Sequence, residues 1–352
     1  MAIVADTATA IPVVSPIVSP TPVTIPTETQ APTSTPTSPN PTPTAFVPAS
    51  GAPDNRYAVI ATSAGALSQV ASLGVNSYID FSFSGSASGS GANKVIFIRS
   101  IDQVNAAQIQ NAAIASPGAT WYVLGEANVA GLDPNDIVVG LHDIYNTIKA
   151  SDPTAKITSP SILNYEFTCI LCGGYQSGKS WIQSFITGYS DLYGSPPPVD
   201  YWAIDVYPII WDLDQLPTTR SDIALEQISD FRQFLNTLPS ESSKPIVVTE
   251  IGLHWGFSGM TFSNPECSTA FPSGEYQTEK VIQYLREIFN GLEASAITDN
   301  IHSWYLFSTY RDLTLCHQDN GYGLTLFESP DSGATLSPLG QFFYNWIRGT
   351  RN

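Results

Sequence analysis

Two stretches of the chain end an apolar run in a carboxylate. In Thr120-Trp-Tyr-Val-Leu-Gly-Glu-Ala-Asn128 the run stops at Glu126, with Gly, Ala and Asn around it. In Lys244-Pro-Ile-Val-Val-Thr-Glu-Ile-Gly252 a β-branched run stops at Glu250. A buried strand ordinarily gives way to a turn residue or a helix cap, not to a bare acid. Two strands that each carry one carboxyl at their C-terminal ends can supply a proton donor and a nucleophile or base, the pair that cleavage of a glycosidic bond requires. A lone Glu at a strand end is as often a solvated loop residue, so the pairing carries the argument rather than either acid alone.

For these acids to meet, the strands must belong to one sheet whose C-terminal ends converge. The sequence predicts strands at Tyr57–Thr62, Val75–Phe81, Lys94–Arg99, Thr120–Leu124, Lys156–Ser159, Asp200–Val206, Pro245–Thr249 and Ile301–Phe307. Helical spacing runs through Gln103–Ala115, Pro134–Lys149, Ser221–Leu238, Gln277–Leu292 and Pro338–Arg348. In the second of these, Ile137, Val138, Leu141, Ile144 and Ile148 share one face after an Asp133-Pro134 start signal. The strands are near-continuous apolar runs, as in a parallel sheet covered on both faces. Eight strands alternating with helices predict an α/β fold, a (β/α)8 (TIM) barrel spanning 53–352. An open doubly wound sheet is the other arrangement considered. It fits less well, because Ala61-Thr-Ser-Ala-Gly after the first strand is not a glycine-rich phosphate fingerprint. In the barrel, Glu126 follows the fourth strand and Glu250 ends the seventh, roughly opposite each other over the mouth.

Here the chain resembles the retaining (β/α)8 glycoside hydrolases of clan A, over about residues 57 to 350. Leu124-Gly-Glu-Ala-Asn-Val129 resembles the group's Gly-Asn-Glu-Pro-Asn segment, and Ile148–Lys156 the helix-to-strand step that follows it. Asp200-Tyr-Trp-Ala-Ile-Asp-Val-Tyr-Pro208 resembles its sixth strand, and Ile246-Val-Val-Thr-Glu-Ile-Gly252 its seventh. The resemblance implies Glu126 as acid/base, Glu250 as nucleophile and Tyr207 as the hydroxyl that orients the nucleophile. It also implies Trp304 on the eighth strand as a platform under the sugar. Two departures stand out. Gly125 replaces the Asn that normally bonds the sugar 2-hydroxyl, with Asn128 the nearest substitute, and Ala127 replaces the usual Pro. Asp205 stands where relatives often carry His, and its charge is expected to raise neighbouring carboxyl pKa values.

His254, Trp255 and Arg99 complete the candidate substrate-binding set: two groups able to bond or stack on a sugar, and a cation able to hold a carboxyl ionised. His302 is a further candidate for a substrate hydroxyl, and Glu166 a rim residue. The segments Glu166–Lys179, Ile209–Thr219, Leu253–Gly274 and Ser308–Glu328 all leave the catalytic face. They hold Tyr175, Trp211, Trp255, Phe257, Tyr310, Tyr322 and all four cysteines, which suits a groove for a polysaccharide or oligosaccharide chain. No metal or cofactor is required by this chemistry.

Composition narrows the partners. With 14 Lys and Arg against 31 Asp and Glu, a net charge of −17 disfavours nucleic acid and anionic membrane surfaces, which need clustered cations. No apolar run approaches the ~20 residues of a membrane span. Cys169-x-x-Cys172 is compatible with a redox pair or half a zinc site, but Cys267 and Cys316 form no second close pair. Structural disulfides are expected instead; Cys267–Cys316 would staple the seventh and eighth loops, and Cys169–Cys172 would tighten the fifth. Residues 1–52 repeat Thr-Pro and Ser-Pro, hold no Lys or Arg, and read as a disordered stalk outside the fold. Met1–Asp6 lacks the basic and apolar regions of a signal peptide. Together these features predict a secreted or surface-tethered protein, expected to be a monomer. A non-catalytic carbohydrate-binding or adhesion module on the same barrel is the alternative, favoured by Gly125 and Ala127.

Overall fold

The computed structural model describes residues 53–84, 90–163, 165–166, 177–208, 219–253, 278–311 and 324–351. His254, Trp255, the four cysteines, residues 1–52 and most of the loops expected to carry aromatics lie outside the described residues.

Eight parallel strands alternate with helices: β1 (Tyr57–Ile60), β2 (Ser77–Ile79), β3 (Asn93–Ile98), β4 (Thr120–Val123), β5 (Lys156–Ile157), β6 (Trp202–Val206), β7 (Ile246–Ile251) and β8 (Ile301–Phe307). Hydrogen-bonded neighbours run β5-β4-β3-β2-β1-β8-β7-β6. The two outer strands of that order meet as well. Thr158 bridges Tyr201, Leu163 bridges Asp205, and the amide of Asp205 donates to the Ile162 carbonyl at 2.9 Å. The ring is therefore closed, as expected for a (β/α)8 barrel, although β5 is two residues long where four were predicted.

Successive side chains of a strand point to opposite faces. One set fills the barrel interior: Ala58, Ile60, Ile79, Val95, Phe97, Tyr122, Val247, Tyr305 and Phe307. The other set, including Trp121, Trp202, Ile204, Val248 and Trp304, packs outward against the helices. Those helices are α1 (Ala66–Leu73), α2 (Ala106–Ala115), α3 (Pro134–Ser151), α4 (Gly178–Tyr193), α5 (Ser221–Asn236), α6 (Thr278–Thr298) and α7 (Pro338–Ile347). Their starts follow ordinary capping chemistry. Asn105 and Gln108 form a reciprocal capping box at α2, Asp133 accepts from the Asn135 amide ahead of Pro134 at α3, and Ser337 caps α7.

Two helices, α1 and α4, were not individually predicted. The α4 segment is rich in Ser and Gly and carries Gly188 mid-helix, which weakens any helical signal. That glycine exists for packing: a Cβ there would stand 2.5 Å from Oδ1 of Asn135, at the start of α3. No described helix is long and apolar enough to cross a membrane.

Candidate active site

Beyond Val123 the backbone leaves β4 through two consecutive left-handed residues, Leu124 at φ 70° and Gly125 at φ 51°. The reversal turns Glu126 toward the barrel axis, and the Gly125 carbonyl accepts from the Ser161 amide at 2.8 Å. A side chain at Gly125 would be strained by its backbone conformation, and its Cβ would press on Phe97 at 3.3 Å. Gly125→Ala is expected to destabilise the fold by about 1–2 kcal/mol, read as a lowered urea midpoint with an unchanged slope.

Asn128 does not take over the missing sugar contact. It is buried, and its amide is committed to backbone at both ends: Nδ2 donates to the Leu163 carbonyl at 2.8 Å and Oδ1 accepts from the Leu163 amide at 3.0 Å. It fastens the β4 loop to the segment after β5.

On the opposite side of the ring, β6 and β7 pair Asp205 with Glu250, just past a register shift at Ile204/Asp205. One carboxylate oxygen from each of Glu126, Asp205 and Glu250 lies within 4.8 Å of the others. Tyr207 Oη donates to Glu250 Oε2 at 2.7 Å. Asp205 is fully buried; Tyr122 Oη donates to its Oδ2 at 3.2 Å and Thr249 Oγ1 to its Oδ1 at 2.5 Å. Thr249 in turn meets Ser161 Oγ at 3.0 Å.

Arg311, just past β8, is the cation of the site. Its guanidinium lies over the Phe307 ring at 4.6 Å, and its positive charge stabilises the ionised form of Glu250, drawing that carboxyl's pKa down. The sequence offered Arg99 for this role. Arg99 does line the same cavity, but it is exposed and sits beside Phe97, 5.7 Å from the ring centre. Arg311 was missed because it lies in a loop with no periodic pattern to mark it.

The cavity over these groups measures about 480 Å3, enough for one or two sugar rings, and its walls are largely apolar: Phe81, Phe97, Tyr122, Leu163, Tyr207 and Phe307. Trp304 is not among them. It is fully buried in the layer between barrel and helices, edge-on to Tyr57 at 4.8 Å, so the platform expected on β8 is absent at that position. Phe307, three residues on and of the opposite parity, is the β8 aromatic that reaches the cavity. His302 lies at the other end of the barrel, beside Tyr201. Glu166 pairs with Lys179 at 3.2 Å.

Electrostatics follow from crowding three acids into one dry site. Burial first, then the charge of Asp205, pushes Glu126 up to about 8. Burial pushes Asp205 up to about 7, against the opposing hydrogen bonds of Thr249, Ser161 and Tyr122. Glu250 is raised by burial and by both neighbouring acids, while Tyr207 and Arg311 pull it back. The three protons titrate as a set rather than singly. Tyr122 and Tyr207 are held well above their ordinary range by burial and by the same acids, so both remain neutral donors.

Three carboxylates within 4.8 Å could in principle hold a divalent cation. Here both Asp205 oxygens and one Glu250 oxygen already accept hydroxyl protons, which leaves an incomplete ligand set.

No protein-family model and no curated protein matches the sequence. Solved structures do match. An endo-β-1,3-glucanase of family GH128, subgroup II, from Pseudomonas viridiflava is 18% identical with a TM-score of 0.56, over 82% of this chain and 96% of that one. A subgroup I endo-β-1,3-glucanase from Amycolatopsis mediterranei, in complex with laminaritriose, is 17% identical with a TM-score of 0.53, over 83% and 99%. A subgroup VI exo-β-1,3-glucanase from Aureobasidium namibiae is 12% identical with a TM-score of 0.54, over 84% and 98%. At these identities the likeness establishes the fold: the chain is built on the same (β/α)8 plan as these three proteins.

Proposed function

We propose that the protein is a retaining glycoside hydrolase that cleaves O-glycosidic bonds of a polysaccharide, with a β-glucan as the favoured substrate. The observation that carries this reading is the placement of Glu126 and Glu250 across the barrel mouth with carboxylate oxygens within 4.8 Å. Retaining enzymes hold their two carboxyl groups about 5–5.5 Å apart, whereas inverting ones leave about 6.5–9.5 Å for a water molecule. The three solved structures of like fold described above are β-1,3-glucanases, which favours a β-linked glucan over other chains.

Hydrogen bonds support the roles. Glu250 accepts from Tyr207 and faces Arg311, two contacts that favour its ionised form, as a nucleophile needs, against the burial and neighbouring acids that raise it. Among the described residues Glu126 has no such donor, and its elevation to about 8 suits the group that holds the proton. In the first step Glu126 gives that proton to the glycosidic oxygen as the C1–O bond breaks and Glu250 bonds C1. In the second, Glu126 takes a proton from water, whose oxygen displaces Glu250 from C1. Tyr207→Phe is expected to lower kcat about 10–100-fold with a smaller change in KM, since a hydrogen bond to a charged group is worth roughly 1.5–3 kcal/mol.

The deciding experiment is a screen of the purified protein against β-glucans, mannans, xylans and galactans, with Glu126→Gln as control. Reducing ends released only by the unsubstituted protein support the reading. Binding without release in both proteins would replace it with a non-catalytic carbohydrate-binding module. Secretion or surface tethering, structural disulfides and a monomeric state belong to the same proposal. The first two are supported by the Pro/Thr-rich segment, the even cysteine number and the scarcity of charged residues, 13% of the chain.

A further inference from the structure

The proposed chemistry uses two acids, and the site holds three. Asp205 has no substrate-facing surface: it is fully buried, below the cavity, and does not line it. Its carboxylate is nevertheless within reach of both Glu126 and Glu250, and it is held by hydroxyls rather than by a cation. Among the described residues no Lys or Arg pairs with Asp205, so ionising it in this buried position is costly and is offset only by its hydrogen bonds.

We infer that Asp205 is a positioning residue whose negative charge helps keep Glu126 protonated at mildly alkaline pH. The inference rests on the hydrolase reading for its meaning in catalysis. The groups that face Asp205 are Tyr122 and Glu126 at the end of β4, Ser161 after β5, Thr249 and Glu250 on β7, and Tyr207 just past its own strand; Arg311, past β8, faces Glu250. The tyrosines, Ser161 and Thr249 are neutral, and Arg311 acts on Glu250 and Tyr207. Among the described residues Asp205 is thus, beside Glu250, the negative charge that acts on Glu126, and with burial it elevates that carboxyl.

The arrangement matters most at the intermediate. When Glu250 becomes an ester its charge is lost, and an acid/base partner governed by Glu250 alone would become a weaker base. Asp205 is not consumed, so Glu126 remains a strong base for the water that completes the cycle. The Ser161–Thr249–Asp205–Tyr122 chain supplies hydrogen bonds that favour the ionised form of Asp205 against its burial.

The test is a titration of Glu126 that needs no turnover. In protein carrying Glu250→Gln, the Glu126 carboxyl is followed by isotope-edited infrared absorption, with Glu126→Gln as the assignment control. Adding Asp205→Asn is expected to lower the Glu126 midpoint by about one pH unit or more. Thr249→Val, which keeps Asp205 but removes a donor to its anion, is expected to lower the midpoint in the same direction; it serves if Asp205→Asn fails to fold. In otherwise unsubstituted enzyme, Asp205→Asn should move the upper limb of the kcat/KM profile down by the same amount. A Glu126 midpoint that stays put in both variants overturns the inference. A midpoint that falls in a protein that hydrolyses no glycan upholds the coupling and sinks the hydrolase reading, so the two failures are told apart.

Discussion

Glu250→Ala is expected to abolish hydrolysis, with kcat on a β-glucan falling at least about 10^4-fold, as removal of a nucleophile does elsewhere. The carboxyl is pinned by the Tyr207 hydroxyl and buried at the cavity floor, so no other group on β7 can replace it. The alanine leaves a hole the size of a small anion, on the face of the sugar from which Glu250 attacks. Added azide should therefore restore turnover. Glu126 protonates the departing oxygen, the C1–O bond breaks, and a C1–N bond forms. The product is a glycosyl azide of the opposite anomeric configuration, identified by proton coupling at C1. An inert protein without rescue would point to misfolding, which thermal melting checks. Undiminished activity would remove Glu250 from the mechanism.

The second large effect falls on Glu126. Glu126→Ala should cost about 10^2–10^4-fold on a polysaccharide, whose leaving oxygen must be protonated. The loss should be much smaller in the first step for an aryl glycoside with a good leaving group, which needs no proton. Azide should then accelerate breakdown of the intermediate, giving a product of retained configuration, the reverse of the Glu250 result. The pH profile carries the same assignment. Glu126 is raised to about 8, so the free enzyme keeps its acid protonated below that value and loses activity above it; the alanine variant should lose that upper limb.

Stability should move the other way. A carboxyl whose folded pKa lies above its unfolded value favours the native state fully at low pH and loses that contribution as pH rises toward the folded value. Between about pH 4.5 and 8 the native protein should therefore weaken, and Glu126→Gln should flatten the trend, melting higher than the unsubstituted protein at pH 8 by on the order of 1–2 kcal/mol. Melts at pH 5 and pH 8 measure it.

Much of this was legible before any coordinates. Apolar runs of strand length separated by helical spacing suffice for the barrel, because each βα unit repeats one local grammar. Glu126 and Glu250 stood out because acids at the ends of such runs are out of place. The misplacements have physical causes. Trp304 and Phe307 sit on the same strand, and when both faces of a sheet are buried an apolar run does not reveal which parity points inward. Asn128 was matched by type and nearness, but the two-fold grip of Leu163 depends on how the β4 and β5 loops meet, which is a tertiary fact. Gly125 is the instructive case: read as a lost sugar contact, it is the residue that lets the chain turn left-handed twice in succession and face Glu126 inward.

The barrel's closing seam has a consequence of its own. Elsewhere around the ring adjacent strands share at least two paired positions, but β5 and β6 meet through single bridges. Ser161, Thr249 and Asp205, the polar groups beneath the catalytic acids, straddle this join or brace it from β7. The part of the wall closed by isolated bridges rather than by a continuous strand ladder is thus cross-braced by the groups that tune the chemistry. Architecture and reactivity draw on one small set of hydroxyls and one acid. A lineage altering its pH range through these positions would also be altering how firmly its barrel is shut.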